Sequence, residues 1–487
     1  MTGLALELRR GPGKLLVIPL ALVGVLVIRQ AIPPGPAVWP AVVSALALGM
    51  VAMGPVAGGV AALAGTRSHR RRTDTLELLA TRGPAAAGLA ELGALLVWVS
   101  GAFVLVLGAT YLPAAATATW SGPDGLRSLT TGVGLLLEVV IGYVLGRLVP
   151  SRLTPAVVAL VFYGLVGYID ASRTLFRWSL LLPVNLQFAD EFSILNRTAF
   201  IGQLVWYLGL GLLVAAGWAV GRQSRSAVAG AALAVGAATT VAGLVVLLPQ
   251  NGRATFPAAP AVWDCAGSAP EVCLHPAFAS AAPAVTAAVT PVAGRLAGTP
   301  FAIRRAEHRP RGIGSIPSPG AVAFALDDTA PGSIRLVSQE LAVNALGDQE
   351  SCFTDTGLAS GYDLAQLVAA WVAGDPSLYQ PTPDSPSTTA DHAAQRWFAG
   401  LDQTRRRAWL TRNEQAIRAC TLRPSAFRSA VAGGCSPEPG TRHGRSRPWS
   451  SSPSSRRSSG RRHWTCSART SPCRSRGPSS SRWPPQR

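Results

Sequence analysis

Between Leu15 and Leu248 the chain alternates long apolar runs with short polar segments. A helix needs about 20 apolar residues to cross a hydrocarbon core. Seven runs approach that length, at 15–32, 41–64, 89–112, 129–149, 155–170, 199–220 and 227–248, the fifth being the shortest. No signal-peptide cleavage pattern follows the first run, so it reads as a retained span. Past residue 250 the pattern shortens. Residues 250–270 are rich in Pro and Ala and read as a linker. Helices are expected at 277–298, 335–347, 358–373 and 392–420, with short strands at 300–304 and 320–327. The predicted fold class is an α-helical polytopic membrane bundle of about seven transmembrane helices, followed by a C-terminal extracytoplasmic mixed α/β domain and a disordered basic tail. The boundaries are 1–249 for the bundle, 250–422 for the Cys-containing domain and 423–487 for the tail.

The cysteines divide the chain in the same way. The first 264 residues contain none, and all seven lie at or beyond Cys265. Disulfides persist outside the cytoplasm, so the second half is expected there. Basic residues give the same orientation by the positive-inside rule. With the N-terminus inside, twelve Lys and Arg fall on the cytoplasmic side (among them Arg67, Arg70, Arg71, Arg72 and Arg82) and five on the other. The expected location is the plasma membrane, multi-pass, with the N-terminus cytoplasmic and residues 250–487 extracytoplasmic. Cys265 and Cys273, with seven residues between them, most simply close a small loop, and Cys352 and Cys420 remain for a second bridge. Four cysteines allow three connectivities, and spacing does not choose among them.

The net charge of +19 belongs mainly to the tail. Residues 423–487 hold 14 Arg and one acid, which leaves +6 for the other 422 residues. That distribution is not a nucleic-acid footprint, and no nucleic-acid partner is expected. From Arg423 onward Arg, Ser and Pro dominate and no apolar periodicity survives, so the segment is expected to be disordered. It reads either as a frame-shifted stretch of GC-rich coding sequence or as a polybasic arm for anionic lipid or wall polymer. Lys14 is the only lysine. Leu8 stands where a P-loop needs its first glycine and Leu15 where it needs Ser or Thr, so the chain has no Walker-type ATP site.

Within the spans, Gly142–Gly146 and Gly217–Gly221 have the small-xxx-small spacing that lets helix backbones approach. Glu138 lies well inside the fourth span among Leu135, Leu136, Leu137, Val139 and Val140. An acid at such depth is costly and marks a pathway or a buried pair. Tyr143 is the nearest hydrogen-bonding candidate. Glu91 and Arg29 lie near span ends and are expected to snorkel.

Between the second and third spans runs Arg70-Arg71-Arg72-Thr73-Asp74-Thr75-Leu76-Glu77-Leu78-Leu79-Ala80-Thr81-Arg82-Gly83-Pro84. Asp74 can cap a short helix with Glu77 at the capping-box position. Leu76, Leu79 and Ala80 form an apolar stripe, and Gly83-Pro84 ends it. The segment resembles the coupling region of exporter-type ABC transporter permeases, the matched positions being Thr75, Leu76, Glu77, Leu78, Leu79 and Ala80. The order of features, with Val38-Trp39-Pro40, this helix, the spans and an external Cys/His-Pro segment, is also similar to a group of actinobacterial permease-like proteins. The resemblance implies a separate ATP-binding cassette ATPase subunit docking at 74–82, a lipid environment, and assembly as a homo- or heterodimer.

Little chemistry is visible in the external half. His275, His308 and His392 are scattered, with no His-Glu-x-x-His or Cys-x-x-Cys zinc signature and no Gly-x-Ser-x-Gly elbow. His275 is expected to be structural or exposed, Asp327-Asp328 a turn, and Arg405-Arg406-Arg407 a solvated helix face. No catalytic set, metal or cofactor is expected. The leading expectation is a permease-like subunit of an ABC-type exporter. The alternative is a multi-pass anchor presenting an extracytoplasmic binding or sensory domain.

Overall fold

The computed structural model describes residues 3–427, except 11, 33–34, 36, 71–82, 173–174, 185–186, 223–226, 258–262, 311–319, 348–352, 355–356, 359–361 and 376–387. The chain divides into two units after Arg428, and the description concerns the first. The calls on Thr75–Ala80, on Cys352 and on the tail beyond Phe427 therefore lie outside the described residues; the start of the tail, expected disordered from Arg423, is instead ordered, with a helical turn at Pro424–Phe427.

Helices form at all seven predicted positions. After a short α1 (Gly3–Arg10) come α2 (Val17–Ala31), α3 (Trp39–Gly65), α4 (Gly83–Thr117), α5 (Gly125–Leu148), α6 (Thr154–Ala171), α7 (Arg197–Arg222) and α8 (Ala227–Leu247). Six helices in the described chain are long and apolar enough to cross a membrane, or seven if the bent α1–α2 pair is one span; α6 falls just short of that test. The outward faces are apolar, with Ile18 74% and Val228 79% exposed. Faces of this kind are rare on soluble monomers and suit a hydrocarbon environment.

The sixth long apolar stretch, Pro276–Leu296, packs differently. Its Val285, Val289, Val292 and Leu296 are buried in one core with Val272, Ala306 and Phe324 from a four-stranded sheet. It is a domain helix, α9 (Ala282–Leu296), preceded by a helical turn. The sheet is β5 (Asp264–Ala266), β6 (Glu271–Leu274), β7 (Arg305–His308) and β8 (Ala321–Phe324), in that order, with β5–β6 antiparallel and the other two pairs parallel. Parallel neighbours need a crossover, and α9 supplies it between β6 and β7. Helices α10 (Pro331–Leu346), α11 (Tyr362–Ala373), α12 (Thr388–Ala399), α13 (Gln403–Arg412) and α14 (Glu414–Arg418) complete the domain. Packing continues to Phe427, whose buried ring lies 4.9 Å from that of Trp409.

Several expectations are corrected here. Residues 250–270 are not simply a linker. They include β4 (Thr255–Pro257), paired antiparallel with β3 (Ser193–Leu195), and β5. The strand expected at 300–304 forms at Arg305–His308, and the helix expected at 392–420 is three shorter helices, because Gly400 and Asn413 interrupt it. The Arg405–Arg407 run is only partly solvated: Arg406 stacks on Trp371 at 4.6 Å, and Arg407 donates to the Gly294 carbonyl at 2.8 Å. Cys265 and Cys273 stand opposite each other on β5 and β6 and are bridged, and Cys420 is disulfide-bonded as well.

The seam of the bundle is α3 against α5. A Cβ at Gly142 would lie 2.2 Å from the Gly58 carbonyl oxygen, and one at Gly146 would lie 2.1 Å from that of Ala62. The first small-xxx-small motif is therefore a backbone-to-backbone contact. The second shows no such contact among the described residues: Gly217 meets Leu233 at 3.6 Å, and none of them lies within 4 Å of a Cβ at Gly221. Gly142→Ala and Gly146→Ala are each expected to destabilise the purified protein by about 1–3 kcal/mol, whereas Gly221→Ala stays within about 0.5 kcal/mol. Thermal unfolding of the three variants in detergent checks this.

Candidate functional site: a loop threaded between bundle and domain

A non-helical segment connects α6 to α7 and enters the end of the bundle that faces the domain. It begins with a helical turn, Phe176–Leu181, and ends at β3. Backbone polar groups buried in an apolar bundle must find partners. Three successive carbonyls do so on one face of α7. Gln203 Nε2 donates to Leu180 O at 2.9 Å, Trp206 Nε1 to Leu181 O at 3.1 Å, and the Tyr207 hydroxyl to Leu182 O. The spacing i, i+3, i+4 aligns those donors. Pro183 O then presses on Gly134 of α5, where a Cβ would lie 2.2 Å away. Buried Arg127 donates to Gln187 O at 2.7 Å, and Ser44 of α3 accepts from Ala189 N at 2.8 Å. A cavity of about 10 Å³ remains beneath Pro183 and Val184, bordered by Arg127, Thr130, Thr131, Gln203 and Tyr207, which is close to the room one water needs.

The same loop then touches the domain. Glu191 Oε1 lies 3.3 Å from His308 Nε2, and Phe192 stands edge-on to both His275 and His308 with centroids 5.1 and 5.0 Å away. Trp120, at the end of β2 (Ala118–Trp120), packs on the His275 ring at 4.5 Å. Phe278 and Phe324 enclose His308, which is 1% exposed. The His275 backbone N–H faces His308 Nδ1 at 3.5 Å. The seat is completed by β1 (Ala37–Val38) running parallel to β2, and by Thr119 donating to the Ala277 carbonyl at 2.8 Å.

These contacts set the charge states. Burial, with His275 alongside, lowers His308 to about 3, while a hydrogen bond with the Leu326 backbone opposes the shift. Burial likewise lowers His275, against the pull of Asp190 and Asp264. Burial raises Glu191 to about 7, and Asp190 and Asp327 add to the rise. Below about pH 7 the Glu191–His308 contact is thus an uncharged acid beside an uncharged ring rather than an ion pair. The rings and the Glu191 contact hold the loop against the domain as a clamp.

At the far end of the bundle lies a second polar cluster. Arg147 of α5 pairs with Glu91 of α4 at 3.0 Å, their side chains 5% and 16% exposed. The Tyr143 hydroxyl donates to Glu91 at 2.9 Å and accepts from Arg147 at 3.0 Å. Glu91 therefore does not snorkel, and Tyr143 serves Glu91 rather than Glu138. The expected acid, Glu138, is 1% exposed, with Oε2 against Gly54.

Among the described residues, Cys265, Glu271 and Cys273 form the one His/Cys/Asp/Glu group tight enough for a metal, but the disulfide leaves it no thiolate ligand. Asp328 does form the expected turn, its carboxylate accepting from Ala330 N at 2.7 Å. The clamp and the threaded loop were missed in the sequence. Their available signal was Gln203 and Tyr207, four residues apart within an otherwise apolar run. No protein-family model, curated protein or solved structure matches the chain.

The clamp has a pH signature. Glu191 binds its proton more tightly in the folded chain, so its contribution to stability is full below its ordinary 4.5 and is lost as pH rises through about 7. The neutral His308 contributes above its ordinary 6.5, and that contribution is lost as pH falls toward about 3. The two lowered histidines still gain stability as pH rises through 6.5, so the Glu191 loss is read as a difference between variants. The melting temperature of wild type relative to Glu191→Gln is expected to fall as pH rises from about 5 to about 8, as read by thermal scans of both proteins in matched buffers.

Proposed function

We propose that the chain is the membrane-spanning, permease-like subunit of an ABC-type exporter, driven by a separate ATPase subunit that docks on residues 74–82. In this reading the N-terminus is cytoplasmic, and the C-terminal domain sits on the outer face of the plasma membrane. One observation carries the proposal. The segment 71–82 joins α3 to α4, and both helices are fixed to the same turn of α5. A Cβ at Gly65, the last residue of α3, would lie 2.4 Å from the Tyr143 carbonyl oxygen, and Glu91 of α4 pairs with Arg147. A push on the segment would reach the bundle core with little slack, as a coupling helix requires. The threaded loop then serves as the outer closure, and the domain resting on it governs its release.

A second reading has its own support. The domain is seated by β1, β2 and the histidine clamp, which suits a bundle that only anchors a binding or sensory domain.

Co-purification separates the two. The wild-type chain is expected to bring down an ATP-binding cassette protein, and the double variant Leu76→Asp with Leu79→Asp is expected to lose it. Absence of the ATPase from wild type, or its full retention by the variant, refutes the exporter proposal. Orientation has its own check: after reduction of intact cells, a membrane-impermeant thiol reagent should label Cys265 and Cys273, and failure to do so while permeabilised cells are labelled would reverse the layout.

A further inference from the structure

Glu138 lies near the middle of α5, and among the described residues no side chain or backbone group hydrogen-bonds its buried Oε2. Room for the carboxyl exists because Gly54 has no side chain; a methyl there would lie 2.3 Å from Oε2. The arginines of the same helix are engaged elsewhere, Arg127 by Gln187 and Arg147 by Glu91. An isolated carboxylate in such surroundings is strongly disfavoured. A metal cation is poorly suited to correct this, because hard cations take six or more oxygens and among the described residues no cluster of three His, Cys, Asp or Glu side chains includes this carboxyl. A proton needs one oxygen.

A polar stepping point lies on the domain side of the carboxyl. The small cavity under Pro183 and Val184 is bordered by Thr131 and Ala47. Thr131 is two turns from Glu138 on α5, and Ala47 is two turns from Gly54 on α3. Both walls therefore place the cavity about 10 Å from the carboxyl, toward the domain. Tyr207 borders the cavity and lies within electrostatic reach of Glu138. Pro183 and Val184 of the threaded loop form the lid.

We propose that Glu138 is a proton-binding site, loaded from the domain side of the bundle past the Pro183–Val184 lid. A hydronium delivers its proton to a carboxylate oxygen, leaving water and a neutral acid; unloading is the reverse step. The site makes the bundle responsive to a proton gradient, and it does not depend on whether an ATPase docks at 74–82.

The full-length protein in sealed vesicles of known orientation tests this with N,N′-dicyclohexylcarbodiimide, an apolar reagent for protonated carboxyls. The acid proton passes to a carbodiimide nitrogen and the carboxylate oxygen adds to the central carbon. The acyl group then shifts to nitrogen, giving a stable adduct with no leaving group. Peptide mass spectrometry is expected to find the adduct on Glu138. Its rate should rise several-fold when the medium on the domain side is brought from pH 8 to pH 6, and should not respond to the opposite side alone. Three results overturn the proposal: no adduct on Glu138, control by the opposite side, or a rate indifferent to pH on both sides, which would mark a permanently neutral structural acid.

Discussion

The rest of the structure depends on the contact of α3 and α5, backbone to backbone, at Gly58–Gly142 and Ala62–Gly146. In an apolar solvent no hydrophobic force draws helices together, so close packing of small residues has to supply the attraction. The seam also dictates where polar groups can sit. One turn beyond Gly58, Gly54 leaves space for the Glu138 carboxyl. At the far end of the seam, Gly65 meets the Tyr143–Arg147 turn, where Glu91 joins from α4. A bundle held by side-chain interdigitation alone would leave more play at both places.

The second constraint is that irregular backbone inside the bundle must be satisfied. The loop after α6 meets it through Gln203, Trp206, Tyr207 and Arg127, each donating to a loop carbonyl. Those side chains make the loop part of the bundle, while its continuation at Glu191 and Phe192 makes it part of the domain. Domain and bundle thus share one loop, held at both ends by buried contacts.

The clamp and the far-end cluster also show why the two sets of buried charges behave differently. Glu91 has a guanidinium and a phenol as partners. Such a pair is costly to assemble and more costly to break on one side. Glu191 has a histidine ring and two neighbouring carboxylates instead, and burial favours its uncharged form.

The sequence by itself determined the positions of the seven apolar helices and the placement of Glu138 in mid-helix. These follow from run length, and from the cost of an ion in hydrocarbon, which are properties of contiguous residues. It also supplied α9 and β8, whose apolar patterns are local. Only the tertiary structure brought His275 and His308 together, since they are joined by neighbouring parallel strands across an intervening helix. Only the fold recruited Glu91 to Arg147, 56 residues away, and chose Gly142 over Gly221 as a contact. The β5–β6 hairpin was hidden because strands of three and four residues are too short for alternation to register. Local periodicity reports which face of an element is buried. It carries no information about which distant element covers that face, and the loop, clamp and Glu91–Arg147 contacts are of that second kind.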